Sequence, residues 1–407
     1  MIAEHVTNQV ITPETPEQLA QALKSASDER RAVIPLGGGT MLDLGGPVAR
    51  AALGISLAKL NNVLDYQPAN LTVRAQAGVT LDALNAKLAQ HGQYLPLDPP
   101  CPSRATLGGI LATNASGPLR MRYGAARDLL IGIRVALTDG QIVHGGGQVV
   151  KNVAGYDLPK LFIGSLGTLG IILEATFKLA PLPKQTSTLV AHFDDLAHAL
   201  AVALRALQSP LQPMSVELLD RTASAQFGLD DSASLAVRFG GIESAIARQL
   251  GDVEKWSRES GALKTATIVN DAALWARVRD FSANHPTVVK VGVLPTQIAE
   301  IGSAAQEIAR QHEVSCALVA HAVGILFIAL DGDQAQMLQA IGKIGDVAHS
   351  LRGHLILQRA PRSLRERVDT WGRARSDWNV MQKLKREFDP NGVLNQGSME
   401  VWGYGSR

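Results

Sequence analysis

Short apolar runs and alternating patterns in the first half of the chain predict strands, and apolar stripes at helical spacing predict the helices between them. Thr15 before Pro16 indicates a helix start, since threonine caps a first turn and proline is tolerated there. Thr80 caps a second helix that runs to residue 90, and Asp139-Gly140 is typical of a hairpin turn. The strands predicted in this part span residues 32–36, 71–77, 133–137, 141–143 and 171–179.

Beyond residue 185, strand and helix patterns alternate. Strands are predicted at residues 188–193, 214–219, 234–239, 264–269, 288–293, 316–320 and 325–330, and helices at 197–207, 243–260 and 296–313. A basic helical segment, residues 364–388, follows. This order predicts an α+β protein with an antiparallel sheet covered by helices in its second part. We expect domains at 1–183 and 184–355, and a C-terminal helical segment at 356–407 that returns to the first domain.

Composition and charge exclude several classes of protein. The 407 residues are 46% hydrophobic, and 39 Lys and Arg stand against 37 Asp and Glu, so the net charge is +2. No basic block indicates a nucleic-acid partner. The longest clean apolar run, residues 324–330, is far shorter than the roughly 20 residues of a membrane span, and the first ten residues do not resemble a secretory signal. We therefore expect a soluble, cytoplasmic protein. Two cysteines fit neither a disulfide framework nor a metal-ligand spacing.

Glycine is concentrated in one third of the chain, where 21 of the 38 glycines lie between Gly37 and Gly170. The pattern consists of four segments: PLGGGT at 35–40, ATLGGILATN at 105–114, YG at 123–124 followed by RD at 127–128, and GSLGTLGII at 164–172. KNVAGYDL at 151–158 precedes the last of them. In order and spacing they resemble the PCMH-type FAD-binding domain of the vanillyl-alcohol oxidase and p-cresol methylhydroxylase superfamily.

The resemblance implies an FAD site between the two halves of residues 1–183, beneath a cap formed by the second domain. A strand that ends in three glycines can present successive N–H groups as a nest for the pyrophosphate, and the helix start at Gly108-Gly109 can add further donors. The implied cofactor contacts are Pro35, Leu36, Gly37, Gly38, Gly39, Thr40, Met41, Thr106, Leu107, Gly108, Gly109, Asn114, Gly124, Gly164, Gly167, Ile171 and Asn395.

Two positions depart from common forms of the superfamily. Some members tether the flavin through a histidine just after the first glycine loop, where this chain has Thr40-Met41. We therefore expect FAD to be bound non-covalently. Leu166 stands where many relatives carry glutamate.

The second half is similar to the cap of D-2-hydroxyacid dehydrogenases. In those enzymes an arginine and a lysine at the places of Arg279 and Lys290 bind the substrate carboxylate. The planar guanidinium of arginine and the compact ammonium of lysine both suit a carboxylate. This implies that Arg279 and Lys290 bind a small 2-hydroxy acid. The alternative for each is an ordinary surface charge.

The metal and base motifs of catalytic relatives are missing. Those relatives carry His-x-Gly-Asp-Gly-Asn-x-His and a later Glu-His-Gly, whereas here His321 is followed by AVGILFI and His354 by LIL. Apolar side chains neither hold a divalent metal nor remove a hydroxyl proton. We therefore expect no metal site and interpret His321 as a core or interface histidine.

The resemblance covers residues 10–400 and extends to the smaller, E-type FAD-binding chains of glycolate oxidase complexes. It implies a chain that accepts or relays electrons while a complex oxidises glycolate to glyoxylate, and that is not the main catalytic component. The implied partners are a catalytic D-type flavoprotein and an iron–sulfur F-type protein, with docking at the inner membrane face through the complex. Two alternatives stay open: a self-sufficient D-2-hydroxyacid dehydrogenase, and a structural subunit that binds no FAD.

Overall fold

The structure is a computed structural model that describes residues 7, 9–48, 52–147, 157–373 and 376–399. The described residues form two units. The first contains those up to Ser116, Gly124–Leu182 and 376–399, and the second contains Gly117–Tyr123 and Pro183–Arg373. No helix in these ranges is long and apolar enough to cross a membrane.

The first unit contains the glycine-rich segments. Its strands are β1 Val10–Ile11, β2 Val33–Leu36, β3 Leu53–Ser56, β4 Val63–Gln67, β5 Thr72–Gln76, β6 Gln93–Tyr94, β7 Leu130–Ala136, β8 Ile142–Gly146, β9 Ile171–Lys178 and β10 Ala180–Pro181. The helices up to this point are α1 Pro16–Asp28, α2 Leu81–Ala89, α3 Leu107–Thr113, α4 Arg120–Tyr123, α5 Ala126–Leu129 and α6 Leu158–Phe162, of which α4 belongs to the second unit.

Two main sheets form the framework of the first unit. A parallel sheet has the order β1-β3-β2, and an antiparallel sheet has the order β4-β5-β9-β7-β8, while β6 pairs with β10. The predicted helix starts are confirmed, because Thr15 and Thr80 cap α1 and α2 through their side chains. The hairpin turn is also confirmed, with Gly140 at a φ of +85° between β7 and β8.

The second unit is built around one large sheet. Its strands are β11 Gln185–Phe193, β12 Ser215–Leu219, β13 Ala233–Gly241, β14 Lys264–Val269, β15 Val288–Gly292, β16 Ser315–His321, β17 Ile325–Asp331 and β18 His354–Arg359. Its further helices are α7 Leu196–Gln208, α8 Arg221–Gln226, α9 Glu243–Glu259, α10 Ala272–Asn284, α11 Ile298–Gln311, α12 Gln334–Ser350 and α13 Arg362–Arg365. The last described helix of the chain, α14 Trp378–Phe388, lies in the first unit.

The eight strands are ordered β14-β11-β13-β12-β16-β17-β15-β18, and every pair is antiparallel, as the α+β prediction requires. Side chains alternate between the two faces of each strand. One face carries the larger apolar core, with Leu235, Leu318 and Ile328 fully buried. A smaller cluster on the other face includes Val319, Ala329 and Trp275 of α10.

The C-terminal part differs from the prediction in two ways. The domain boundary expected between residues 355 and 356 falls inside β18, which pairs with β15, so the second unit extends to Arg373. The continuous helix expected over residues 364–388 is instead two shorter helices, α13 and α14, since residues 366–373 are not helical. After α14 the chain pairs with β2 of the first unit, where the Asn395 N–H donates to the Val33 carbonyl at 2.8 Å.

Candidate active site

The glycine loop follows directly from β2 and packs against the segment that leads into α3. A Cβ on Gly37 would overlap the Thr106 hydroxyl, and one on Gly38 would overlap the Arg104 carbonyl. Gly39 has a φ of +67°, which a residue with a side chain adopts at a cost. The three glycines are therefore required by close packing and by backbone conformation.

This close packing leaves a row of backbone donors unused. Within the described residues, the N–H groups of Gly37, Gly38, Gly39 and Thr40 donate to no protein acceptor. Consecutive unpaired N–H groups at the end of a strand form a concave donor set that suits an anion. A pyrophosphate is an anion of this kind.

The start of α3 behaves differently from the sequence-based expectation. Leu107 N–H donates to the Val79 carbonyl at 2.9 Å, and Gly108 N–H donates to the Ala77 carbonyl at 2.8 Å. Gly109 N–H donates to the capping Thr106 hydroxyl at 3.3 Å. The expected second set of phosphate donors is therefore already paired. Gly108 instead allows close helix packing, because a Cβ there would lie 2.8 Å from the Ala77 Cβ.

A cleft opens beside the glycine loop. Twelve of the predicted cofactor contacts line it: Pro35, Gly37, Gly38, Gly39, Thr40, Met41, Thr106, Gly108, Gly109, Gly167, Ile171 and Asn395. The wall also includes apolar side chains that are not among the predicted contacts, namely Ile34, Leu42, Leu44, Val48, Leu57, Ala77, Ala112, Leu166 and Ile172.

Five predicted contacts are not on the cleft wall, and each has a structural reason for its position. Leu36 and Leu107 are buried in the core. Asn114 ends α3 in the left-handed conformation at a φ of +51°, and the Gly164 N–H donates to the Leu111 carbonyl of the same helix. Gly124 makes a turn at a φ of +80° against Asp128. The segment KNVAGYDL at residues 151–158 was also part of the predicted pattern. Its residues 151–156 lie outside the part of the chain that the structure describes.

The C-terminal segment contributes Asn395 to the cleft. The Asn395 side-chain amide donates to the Leu166 carbonyl at 2.7 Å, and Leu166 itself has a φ of +53°. The Asn395 Oδ1 is buried and has no hydrogen-bond partner in the described part of the chain. This acceptor is available to a group bound in the cleft.

The two predicted substrate ligands lie on different elements of the second unit. Arg279, on α10, forms a two-pronged ion pair with Asp280 at 3.0 and 2.8 Å. Lys290, on β15, is half-buried, and its ammonium lies 5.9 Å from the centre of the Phe327 ring. Burial, with a smaller contribution from Arg120, lowers the pKa of Lys290 to about 8. Among the described residues Lys290 has no hydrogen-bond acceptor.

Sequence reasoning missed a partner for His321. Its Nδ1 lies 2.8 and 2.7 Å from the two carboxylate oxygens of Glu217, on the neighbouring strand. Both side chains are buried, as expected for a core histidine, but the pair is ionisable. No signal in the sequence links two residues 104 positions apart. No group of three or more His, Cys, Asp or Glu side chains in the described ranges could hold a metal ion.

Two protein families match the chain, one over each half. A model described as an FAD-binding domain matches residues 7–146, and one described as the C-terminal domain of FAD-linked oxidases matches residues 182–399, more than half of the chain. The chain belongs to the FAD-linked oxidases. The FAD-binding role predicted for the glycine-rich region agrees with the first match.

Relatives of this FAD-linked oxidase are similar over nearly its whole length. Glycolate oxidase subunit GlcD of Bacillus subtilis is 29% identical over 96% of the chain and 88% of that protein. The D-lactate dehydrogenase of Archaeoglobus fulgidus is 26% identical over 96% of the chain and 90% of that protein.

Solved structures confirm the predicted fold class. p-Cresol methylhydroxylase with bound substrate superimposes with a TM-score of 0.75 over 98% of this chain and 90% of its own, at 15% identity. 4-Ethylphenol oxidase from Gulosibacter chungangensis has a TM-score of 0.73 over 97% of this chain and 89% of its own, also at 15% identity. At this identity the likeness concerns the fold alone.

Proposed function

We propose that this FAD-linked oxidase binds FAD non-covalently and oxidises a small 2-hydroxy acid to the 2-oxo acid. The observation that carries the proposal is the row of unpaired N–H groups from Gly37 to Thr40 along the cleft. The FAD-binding family match and the glycolate oxidase and D-lactate dehydrogenase relatives support it.

The cleft residues have distinct roles toward the cofactor. The N–H groups of the glycine loop would hold the pyrophosphate, and the apolar wall, including Leu57 and Ile172, would pack against the ring systems. The unpaired Asn395 Oδ1 would accept a hydrogen bond from the cofactor. Among the described residues, the lining contains no histidine, cysteine or tyrosine, the side chains expected to tether a flavin, which supports non-covalent binding.

The substrate side of the reaction needs an anion anchor and a proton acceptor. We assign the carboxylate to Lys290, whose ammonium has no acceptor among the described residues, with Arg279 as a second candidate. FAD, when bound, supplies the two-electron oxidant that takes hydride from the hydroxyl-bearing carbon. The chain must therefore position the substrate and remove its hydroxyl proton.

A visible spectrum of the purified full chain tests the proposal. We expect a flavin band that acid denaturation releases into solution, and that bleaches when D-lactate or glycolate is added without oxygen. L-Lactate serves as a stereochemical control. A colourless protein that does not take up added FAD would overturn the cofactor assignment and restore the structural role without FAD. A flavin band that persists with all three acids would overturn the catalytic assignment.

A second candidate is the smaller FAD-binding chain of a glycolate oxidase complex. It is favoured by the strand after His321, where apolar residues such as Ile325 and Phe327 replace the polar motif of catalytic relatives. In this case a catalytic D-type flavoprotein and an iron–sulfur F-type protein are the partners, in the cytoplasm at the inner membrane face. Co-expression with both partners distinguishes the candidates, because the flavin band would then bleach with glycolate only in the assembled complex.

A further inference from the structure

The cleft beside the glycine loop has no ionised side chain in its wall. Among the described residues that line it, none is a lysine, arginine, histidine, aspartate or glutamate. A pyrophosphate carries a negative charge on each phosphate group, and charge that leaves water is costly unless an opposite charge lies nearby. The N–H groups of Gly37 to Thr40 supply partial charges only. A full counter-charge for the cofactor therefore has to come from beyond the wall.

Arg104 brings a positive charge to the glycine loop. Its Nη2 donates to the Gly38 carbonyl at 3.4 Å. Within the described ranges this carbonyl accepts no other hydrogen bond, and Arg104 forms no ion pair with a carboxylate. Because a guanidinium keeps its proton in proteins, the loop has a permanent cation bonded to it that no acidic side chain neutralises.

The backbone of Arg104 is held in place by a short turn and by the start of α2. The Arg104 N–H donates to the Cys101 carbonyl at 2.9 Å, and the Leu81 N–H donates to the Ala105 carbonyl at 3.0 Å. Gly38 packs on the same backbone, since a Cβ there would overlap the Arg104 carbonyl. The guanidinium is therefore kept close to the loop, although its side chain is exposed.

The Gly38 carbonyl and the Gly39 N–H belong to one peptide group. In a trans peptide these two groups point in opposite directions, and the described residues contain no cis peptide bond. Arg104 thus lies at the oxygen end of the peptide, and the Gly39 N–H at the other end is one of the unpaired donors along the cleft. Donation to a carbonyl polarises its peptide, so the N–H on the far side becomes a stronger donor.

We propose that Arg104 is the counter-charge of the cofactor pyrophosphate, and that it acts through the Gly38–Gly39 peptide as a positioning residue. This inference rests on the proposed function, in which FAD occupies the cleft. The guanidinium strengthens the donor row and stabilises the negative charge that the row binds, without contacting the phosphates itself. Its contribution is to binding alone, so the dependence of FAD affinity on charge and on salt reports it.

A fluorescence titration of the full-length apoprotein with FAD tests this role. At about 20 mM salt, where screening is weak, we expect Arg104→Gln to bind FAD about five- to tenfold more weakly than wild type. At about 1 M salt the screening length falls to about 3 Å, and we expect the difference to shrink to less than about twofold. A loss of affinity that is the same at both salt concentrations would show that the charge plays no part.

Two further variants separate the charge from the shape of the side chain. Arg104→Lys keeps the charge and should stay within about threefold of wild type at low salt. A lysine variant as weak as Arg104→Gln would contradict the proposal. Arg30→Gln is the matched control, since Arg30 is an exposed arginine of the same unit that precedes β2, whereas the glycine loop follows it.

The control should leave FAD affinity almost unchanged. The four residues of β2 span about 13 Å, and a charge at that distance through water changes affinity by less than about twofold. If Arg30→Gln weakens FAD binding as much as Arg104→Gln does, the effect comes from the overall charge of the unit and the role of Arg104 fails.

ADP-ribose locates the effect on the pyrophosphate half of the cofactor. This probe has the adenosine and the pyrophosphate but no flavin ring. We expect it to compete with FAD, and we expect Arg104→Gln to lower its affinity by the same factor as that of FAD. An unchanged affinity for ADP-ribose, or no competition in the wild type, would contradict an action of Arg104 on the pyrophosphate.

The outcomes keep this inference apart from the proposed function. A wild-type apoprotein that does not take up FAD overturns the proposed function, and the role of Arg104 with it. A wild type that binds FAD, with Arg104→Gln binding it equally well at low salt, overturns only the role of Arg104. If Arg104→Gln does not fold, the wild type decides, because an FAD affinity that is equal at both salt concentrations is incompatible with a counter-charge.

Discussion

The backbone of Gly38 lies directly against the carbonyl of Arg104, with no room for a side chain between them. The Arg104 guanidinium also donates to the Gly38 carbonyl at 3.4 Å. The loop after β2 and the segment before α3 are thus in direct contact. The same loop carries the unpaired N–H groups along the cleft.

Gly38→Ala should therefore disrupt cofactor binding more than folding. A Cβ would force the loop away from Arg104, and crowding of this kind costs about 1–3 kcal/mol. We expect FAD affinity to fall by about tenfold or more, measured by fluorescence titration of the apoprotein. Gly342→Ala, in α12, is the control, because a Cβ there meets nothing within 4 Å and alanine favours a helix. Equal FAD affinity in both variants would contradict this role of Gly38.

The second unit contains a buried ion pair whose loss should be costly. Asp271 accepts hydrogen bonds from Arg238 at 2.8 and 3.1 Å, and from the Thr186 and Thr188 hydroxyls at 2.9 and 2.7 Å. Asp271→Asn leaves the largely buried Arg238 without its counter-charge, and we expect a loss of about 3–5 kcal/mol in unfolding free energy by urea titration.

Asp252→Asn is the comparison for that variant, since Asp252 pairs with Arg248 on the exposed surface of α9. We expect a change of less than about 1 kcal/mol there. Similar losses in the two variants would show that burial does not govern the Asp271 pair.

Substrate affinity should depend on the charge of Lys290. Since burial and the nearby Arg120 lower its pKa to about 8, the ammonium is charged below that pH and neutral above it. We expect KM for D-lactate to rise by about tenfold per pH unit above pH 8 in the wild type. Lys290→Arg keeps its charge and should abolish the rise in KM above pH 8, whereas Lys290→Met should raise KM at every pH. A wild-type KM that stays flat from about pH 7 to about pH 9.5 would exclude Lys290 as the anchor.

Much of the fold could be predicted because its signals are local. Threonine caps at Thr15 and Thr80, alternating strands and the Asp139-Gly140 turn each depend on neighbours within a few residues. The helix α12 was not identified, since Gly342 and Gly345 interrupt its pattern and only packing against the sheet stabilises it. The strand β18 was also missed, because its pairing with β15 is a long-range contact.

The same difference between local and long-range signals applies to the candidate site. The glycine loop could be located from sequence because successive glycines restrict what the backbone can do. The pairing of Gly108 N–H with the Ala77 carbonyl could not be foreseen, since the acceptor lies just after β5 and is distant in the sequence. Nor could the Glu217–His321 pair, which depends on strand order and register in the large sheet.

Lys385 should link the C-terminal segment to the cofactor site. Its ammonium donates to the carbonyls of Thr168 and Leu394 at 2.9 Å and pairs with the buried Asp389. Removing the cation leaves a buried carboxylate without its counter-charge, so Lys385→Met should cost about 3 kcal/mol in unfolding free energy. It should also weaken FAD binding, because the segment that it anchors carries Asn395 to the cleft. Lys383→Met, on the exposed side of the same helix, should change neither quantity. If Lys385→Met lowers stability while FAD affinity stays at the wild-type value, the C-terminal segment has no part in holding the cofactor, and the role proposed for Asn395 fails with it.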